Sequence, residues 1–141
     1  MLCEDVMKRE FECISPRNTV EDAAVRMRNQ NIGFLPVCDQ FRKVLGTLTD
    51  RDIAIRVVAD GRLPTTWVED VMTREVVACS PKDELQKAEE IMARMRKSRV
   101  MCVDSNGELL GIISLSDIAQ HDEGIQAMET FRKISAREAR P

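Results

Sequence analysis

The sequence is poor in the side chains that usually carry acid–base catalysis. Its 141 residues include no tyrosine and a single histidine, His121. Hydrolytic enzymes need a general base beside a nucleophile, and no serine, cysteine or carboxylate stands in a pattern that supplies such a pair. The composition therefore disfavours hydrolytic chemistry, and we expect that the chain is not an enzyme.

Long hydrophobic runs and an excess of basic residues are also missing. No run of about 18 apolar residues is present, as a membrane-spanning helix would require, and the opening MLCEDVMKRE carries acids where a signal peptide needs an apolar core. A net charge of −3 is unlike that of proteins that grip nucleic-acid phosphates. We therefore expect a cytoplasmic protein with neither a membrane nor a nucleic-acid partner.

The five cysteines form an odd set without a CxxC pair. Cys13, Cys38, Cys79 and Cys102 lie within apolar runs, where cysteine behaves as a small hydrophobic residue. The spacing therefore favours neither a metal site nor a disulfide, and a reducing cytoplasm is the simplest setting.

What the sequence does contain is an internal repeat. Residues 5–54 align with residues 70–119 without a gap, and 15 of the 50 aligned positions are identical. The clearest match joins LGTLTDRDIA at 45–54 with LGIISLSDIA at 110–119. Because there are two copies and not a long array, we expect a pseudo-twofold pair instead of a solenoid.

Each copy is typical of a helix, two short strands and a second helix. In the first copy Asn18 or Thr19 caps a helix that Gly33 ends at its C′ position. A Ser-Pro pair precedes this helix in both copies, and a polar turn separates the two strands. The predicted strands are 34–38, 44–48, 100–103 and 109–113, and the predicted closing helices are 51–60 and 116–121.

The only convincing linker is the stretch DGRLP that follows the first copy. It is too short to separate independent domains, so the two halves should share one core. The tail is predicted to be helical, with Ile125, Met128 and Phe131 on one side. The predicted organisation is a first repeat at 1–60, a linker at 61–65, a second repeat at 66–121 and a helical tail at 122–141.

A hydroxyl and an aspartate recur where each repeat passes from strand to helix. Thr49 and Asp52 occupy these positions in the first copy, and Ser114 and Asp117 occupy them in the second. A carboxylate can accept two hydrogen bonds from a cis-diol, and a helix N-terminus offers donors to a phosphate. The same spacing also fits a capping box, which needs no ligand. From spacing alone, both interpretations stay open.

The DVM openings, the SP pairs, the segment GFLPVCD and the repeated junction together resemble a tandem pair of CBS domains. This family is named after cystathionine β-synthase, and the closest resemblance is to small stand-alone bacterial members. It covers about residues 1–121. The resemblance implies an α/β fold of two β-α-β-β-α repeats packed with pseudo-twofold symmetry.

Pairs of this family bind adenine nucleotides or related adenosyl ligands in two clefts between the modules. The resemblance therefore implies a regulatory, ligand-sensing module without catalysis, which takes AMP, ADP, ATP or S-adenosylmethionine and has no obligatory cofactor. The aspartates would hold the ribose, and backbone before the second strand would line the adenine pocket. The implied ligand-binding residues are Thr49, Asp52, Ser114, Asp117, Arg99, Arg51, Ile32, Phe34, Leu35 and Val100.

The two copies depart from each other at positions that matter for this interpretation. Arg99 matches a phosphate-contacting position, whereas the first copy has Phe34 there. The proline of the first copy, Pro36, is Met101 in the second. Asymmetric occupancy of the clefts is therefore left open, as is whether Arg51 reaches a phosphate or pairs with its neighbour Asp50.

Apolar helix faces suggest a homodimer, as is common in the family. We expect an unidentified regulated protein as a further partner. The alternative function is a structural or interaction protein that acts through its dimer face without a nucleotide. The residues expected on the exposed faces are Val20, Ala24, Met27, Met92 and Met95.

Overall fold

The structure, a computed structural model, describes residues 1–121 and 125–136, with side chains for 1–121 and 128–136. Its α/β architecture confirms the predicted fold class, and no helix in these ranges has the length and hydropathy to cross a membrane. The described elements are α1 (Cys3–Val6), α2 (Val20–Gln30), β1 (Phe34–Cys38), β2 (Val44–Thr49), α3 (Asp50–Ile53), β3 (Ala78–Cys79), α4 (Leu85–Met95), β4 (Arg99–Val103), β5 (Leu109–Ser114), α5 (Leu115–His121) and α6 (Ile125–Ser135).

The chain divides into two compact units whose limits differ from those of the sequence repeats. The continuous unit comprises Glu12–Val76, and the composite unit combines Met1–Phe11 with the chain from Val77 onward. The opening segment of each repeat thus lies in the same unit as the body of the other repeat. In the composite unit, for example, the Cys3 amide donates to the Asp83 carbonyl at 2.9 Å.

The continuous unit is built on an antiparallel pair of strands, β1 and β2. Phe34 pairs with Thr49 in this register. Single bridges extend the sheet on both sides, since Ile14 pairs parallel with Val37 and Thr47 pairs antiparallel with Thr73. The buried core of this unit consists of Ile14, Val20, Ala23, Met27, Leu35, Val37, Leu48, Val57, Val68, Val71 and Met72.

The composite unit repeats this sheet with different chain segments. Strand β3 runs parallel to β4, and β4 runs antiparallel to β5 with Arg99 opposite Ser114. A bridge between Lys8 and Ile112 takes the place of the Thr47–Thr73 bridge. Its buried core consists of Cys3, Val6, Met7, Cys79, Leu85, Ala88, Met92, Val100, Cys102, Ile113, Ile118 and Ile134.

The start of α2 confirms the predicted cap, but its end does not. The Asp22 amide donates to the Thr19 hydroxyl at 3.1 Å, and the Asp22 carboxylate accepts from the Thr19 amide at 3.0 Å. The helix ends at Asn31, which has a left-handed φ of 54°, so the prediction that Gly33 ends it was wrong. Asparagine tolerates this conformation because its short polar side chain bonds locally.

One other helical prediction needs correction. The helix expected at 51–60 is the short α3 followed by a π-helical turn at Ala54–Val58. The predicted tail helix is present as α6, where Met128 and Phe131 are exposed. Positions 122–124 and 137–141 and the Ile125 side chain lie outside the described residues. A single 3-10 turn at Val68–Asp70 follows the linker.

The helix faces expected to be exposed are mostly internal. Val20 and Met27 belong to the core of the continuous unit, and Met92 is fully buried in the composite unit. Ala24 is exposed and Met95 is half-buried. The expectation of an exposed apolar stripe was therefore wrong, because the 3.6-residue period marks a buried face without saying what covers it.

Two equivalent glycines provide a test of this packing. A Cβ at Gly46 would collide with the Thr73 carbonyl oxygen, whereas one at Gly111 would meet the Met7 sulfur at 2.6 Å. A flexible methionine side chain can move away from an added methyl group, whereas the backbone carbonyl cannot. We therefore expect Gly46→Ala to lower the free energy of unfolding by about 3 kcal/mol and Gly111→Ala to lower it by about 1 kcal/mol. Urea denaturation of both variants measures the difference, and equal losses would contradict the packing described.

Candidate functional site at the strand-to-helix junctions

In the continuous unit, the predicted hydroxyl and aspartate form a complete capping box. The Asp52 amide donates to the Thr49 hydroxyl at 3.1 Å, and Asp52 Oδ2 accepts from the Thr49 amide at 3.0 Å. The Asp50 amide donates to the Gly33 carbonyl at 3.0 Å, which ties the junction to the segment before β1. The capping interpretation of the sequence is therefore confirmed here.

The second carboxylate oxygen of Asp52 is only loosely engaged. Its Oδ1 lies 3.9 Å from Arg56 Nε, beyond hydrogen-bond distance, and 14% of the side chain is exposed. Arg56 instead donates through Nη1 to the carbonyls of Val71 and Met72, at 3.0 and 3.1 Å. Because these bonds fix the guanidinium, Asp52 Oδ1 keeps acceptor capacity at the surface of the unit.

The junction of the composite unit contains the same box with more bonds. Asp117 Oδ2 accepts from both the amide and the hydroxyl of Ser114 at 2.8 Å, and the Asp117 amide lies 3.2 Å from the Ser114 hydroxyl oxygen. The Leu115 amide donates to the Ser98 carbonyl at 2.9 Å, as Asp50 does to Gly33 in the other unit. The two repeats thus build the same local structure.

A lysine from the start of the chain occupies the remaining oxygen of Asp117. Lys8 Nζ lies 3.2 Å from Asp117 Oδ1, and only 6% of the aspartate side chain is exposed. Burial alone would raise the pKa of Asp117, but the hydrogen bonds from Ser114 and the charge of Lys8 outweigh it, so the pKa lies below its ordinary value. This carboxylate is therefore already paired within its own unit.

The other predicted site residues divide by exposure. Leu35 and Val100 are core side chains, so they can line a site only through their backbone. Phe34 is half-buried and Ile32, Arg51 and Arg99 are exposed. Strand pairing places Phe34 beside Thr49 and Arg99 beside Ser114.

Sequence reasoning missed Lys8 and Arg56, the two cations that approach the junction aspartates. The repeat gives no signal for them, because the 65-residue offset places Thr73 opposite Lys8 and His121 opposite Arg56. The pairing considered between Arg51 and Asp50 is not formed as an ion pair, although the Arg51 amide donates to Asp50 Oδ1 at 2.8 Å.

The two junctions supply hydrogen-bond acceptors for the hydroxyl groups of a ligand. Each presents a carboxylate whose orientation is fixed by a backbone amide donor, and at Asp117 the Ser114 hydroxyl donates as well. Among the described residues, no group of three histidine, cysteine or acidic side chains is arranged to hold a metal ion. The arrangement is suited to binding a polar ligand at Asp52 and, after displacement of Lys8, at Asp117.

The buried carboxylate of Asp117 should make stability depend on pH. Since its pKa is lower in the folded state, its stabilising effect is present above the ordinary value of about 3.9 and is lost as the pH falls further. We expect Asp117→Asn to lower the free energy of unfolding by about 1–2 kcal/mol at pH 7 and by less near pH 3.

Urea denaturation of the wild type and of Asp117→Asn, at pH 7 and at pH 3, measures how much unfolding free energy the substitution removes at each pH. Lys8→Met is the control, because it removes the ammonium and leaves the capping box in place. Its loss of unfolding free energy at pH 7 should be smaller than that of Asp117→Asn. A loss that is the same at pH 7 and pH 3 would contradict the assignment.

Comparison with known proteins places these junctions in a family context. A family model for the CBS domain matches residues 3–59 and 68–124. The CBS domain-containing protein YhcV of Bacillus subtilis is 40% identical over 116 residues, which cover 82% of this chain and 81% of that protein.

Solved structures agree with the sequence matches. The crystal structure of Hypoxic Response Protein I with two coordinated zinc ions has a TM-score of 0.78 and 29% identity, covering 86% of this chain and 99% of that one. The CBS domain pair of protein MJ0100, in complex with 5′-methylthioadenosine and S-adenosyl-L-methionine, has a TM-score of 0.76 and 25% identity, with coverage of 86% and 94%. Two matched domains spanning most of the chain, together with a relative that is 40% identical over most of its own length, show that this protein belongs to the CBS domain family as a tandem pair.

Proposed function

We propose that this protein is a regulatory module that binds an adenosine-containing ligand at its strand-to-helix junctions and has no catalysis of its own. The observation that carries the proposal is the fixed carboxylate at each junction, Asp52 and Asp117. The similar CBS pair of MJ0100 binds two adenosyl compounds, which supports the ligand class. AMP, ADP, ATP and S-adenosylmethionine are the candidates.

The continuous unit carries the better ribose acceptor. Asp52 Oδ2 is held by the Thr49 amide, so the carboxylate keeps its orientation without a ligand. Its Oδ1, only 3.9 Å from Arg56 Nε, can accept a ribose hydroxyl without breaking a hydrogen bond. A pre-oriented acceptor loses little conformational entropy on binding, which favours affinity.

In the composite unit, the ion pair between Lys8 and Asp117 has to be broken or shared before Asp117 can accept a ribose hydroxyl. Lys8 occupies Asp117 Oδ1, and Ser114 donates twice to the other oxygen. A ribose hydroxyl would have to displace or share the lysine, so we infer weaker binding at this junction. Lys8 is 69% exposed and can swing away, and its ammonium is then available to a phosphate.

Phosphate recognition would also differ between the units. Arg51 follows the junction of the continuous unit and is exposed, whereas in the composite unit Arg99 is exposed beside Ser114. The half-buried Phe34 takes the place of Arg99 in the continuous unit, where it offers an apolar face to a base. We therefore propose Arg51 and Arg99 as the phosphate contacts.

Asp52 and Asp22 are capping aspartates of the same unit. Comparing their alanine variants therefore distinguishes a loss of ligand binding from a loss of capping. Asp22 closes a box with Thr19 that has the same two bonds as Asp52 with Thr49. We expect Asp52→Ala to weaken binding of the best nucleotide at least tenfold, whereas Asp22→Ala leaves the affinity unchanged. Both variants should lose stability through the lost capping box, which a lower unfolding midpoint detects.

The measurement is a thermal-shift screen of the four candidate ligands, followed by calorimetry of the best one. A ligand at a hundredfold excess over its dissociation constant stabilises the native state by about 2.7 kcal/mol, which is readily detected. Asp117→Ala should weaken binding less than Asp52→Ala. Equal affinity of Asp52→Ala and Asp22→Ala would refute the assignment of Asp52 as a ligand residue.

One observation favours the alternative of an interaction protein without a nucleotide. Both capping boxes are complete without a ligand, so the recurring residues also have a purely structural explanation. Absence of a thermal shift with all four ligands would favour this function. The homodimer, the regulated protein partner and the cytoplasmic location remain predictions.

A further inference from the structure

The cysteines, scattered in sequence, lie in two clusters in the structure. In the continuous unit, the Cys38 thiol donates to the Cys13 sulfur at 3.5 Å. In the composite unit, Cys79 Sγ lies 3.5 Å from Cys102 Sγ and 3.8 Å from Cys3 Sγ. All five are free thiols, so each cluster raises the question of what the sulfur atoms do.

Packing is a sufficient explanation for the cluster of three. At the repeat offset, Cys3, Cys79 and Cys102 correspond to residues that are buried in the core of the continuous unit. Hydrogen bonds with its two neighbours, together with burial, raise the pKa of the Cys79 thiol, whereas hydrogen bonds with Cys102 and Cys79 lower the pKa of Cys3 to about 4. All three thiols are buried, and Cys3 has no exposed surface, so they stand in the core where the other unit has aliphatic side chains. The corresponding residues are Val68, Ile14 and Val37.

The Cys13–Cys38 pair is placed differently. Its repeat counterparts, Ala78 and Val103, are only half-buried, and Cys13 is itself half-buried, whereas Cys38 is 5% exposed. The two cysteines flank the bridge between Ile14 and Val37 at the edge of the sheet.

The backbone holds the two thiols together. The Ile14 amide donates to the Pro36 carbonyl and the Cys38 amide donates to the Ile14 carbonyl, both at 3.0 Å. Arg26 donates to the Cys13 carbonyl from helix α2. The backbone thus keeps the two sulfur atoms 3.5 Å apart, and a disulfide would bring them to the bonded distance of about 2.05 Å.

The electrostatic surroundings favour one thiolate and one thiol. The hydrogen bond from Cys38 lowers the pKa of Cys13 to about 7; burial and Glu12 oppose this, and Arg42 and Arg26 assist it. The same hydrogen bond and burial raise the pKa of Cys38. Cys13 is therefore the nucleophile of the pair, because the thiolate is the reactive form.

We propose that Cys13 and Cys38 are a modification site at which a hydroperoxide oxidises two neighbouring thiols to an intramolecular disulfide. Cys13 supplies the attacking sulfur and Cys38 the resolving sulfur, since the two lie 3.5 Å apart and Cys13 is the more accessible. The proposal does not rest on nucleotide binding.

The reaction balances with hydrogen peroxide as the oxidant. The Cys13 thiolate attacks one peroxide oxygen, so an S–O bond forms, the O–O bond breaks, and the departing hydroxide takes up a proton to give water. Cys38 sulfur then attacks the sulfenic sulfur of Cys13, an S–S bond forms, and the S–O bond breaks. The hydroxide that leaves takes the Cys38 proton as a second water. A thiol reductant reverses the change by exchange.

The test is oxidation of the folded, full-length protein with equimolar hydrogen peroxide, followed by alkylation of the remaining thiols after denaturation. We expect two fewer alkylated cysteines than the five of the reduced protein, and a linked peptide pair containing Cys13 and Cys38. Cys13→Ser should slow disulfide formation at least tenfold. Cys3→Val is the matched control, since valine occupies the equivalent core position 68, and it should react like the wild type.

Peptide mapping of the wild type decides the outcome even if a variant folds poorly. A disulfide between Cys79 and Cys102, a bond between two chains, or unchanged alkylation of all cysteines would each overturn the proposal. Oxidation of Cys13 to a sulfinic acid without a disulfide would do the same, because it would show that Cys38 does not resolve the intermediate.

Discussion

The structure depends on one local interaction, the reciprocal hydrogen bonding of a hydroxyl residue and an aspartate where a strand becomes a helix. In both units the box stops the strand, orients the first helical turn and fixes a carboxylate at the junction. The amide of the next residue then bonds back to the segment before the preceding strand, which holds the junction in place. The structural cap and the proposed ligand acceptor are thus the same carboxylate, so the two interpretations of the sequence describe one arrangement.

The same box has different surroundings in the two units, so the second carboxylate oxygen of the aspartate is engaged to a different degree in each. Asp117 is almost closed off by Lys8, whereas Asp52 keeps one oxygen that Arg56 approaches only to 3.9 Å. The two repeats thus share the backbone bonds of the junction and differ in the cation that approaches the aspartate. The thiols differ in a similar way: the three core cysteines stand where the other repeat has aliphatic residues, whereas Cys13 is half-buried beside the buried Cys38.

Sequence patterns correctly predicted the features that depend on hydrogen bonds between residues close together in the chain. The Thr19 cap, the β-strands and both junction boxes follow from spacing, because a few adjacent residues satisfy their own backbone. Contacts between distant segments were not predictable in this way: nothing in the repeat indicates that Lys8 reaches Asp117, or that Cys13 meets Cys38. Burial was also misjudged, since periodicity could not distinguish a core face at Met27 and Met92 from an exposed one. Gly33 failed as a helix end because Asn31 adopts the left-handed conformation two residues earlier.

The proposed function requires that a junction carboxylate accept the ribose hydroxyls of an adenosine-containing ligand. Calorimetric titration of the protein with AMP and with 2′,3′-dideoxy-AMP measures this, because the two ligands differ only in those hydroxyls. We expect the dideoxy analogue to bind at least about tenfold more weakly, which corresponds to about 1.4 kcal/mol. Equal affinity for the two compounds would contradict it.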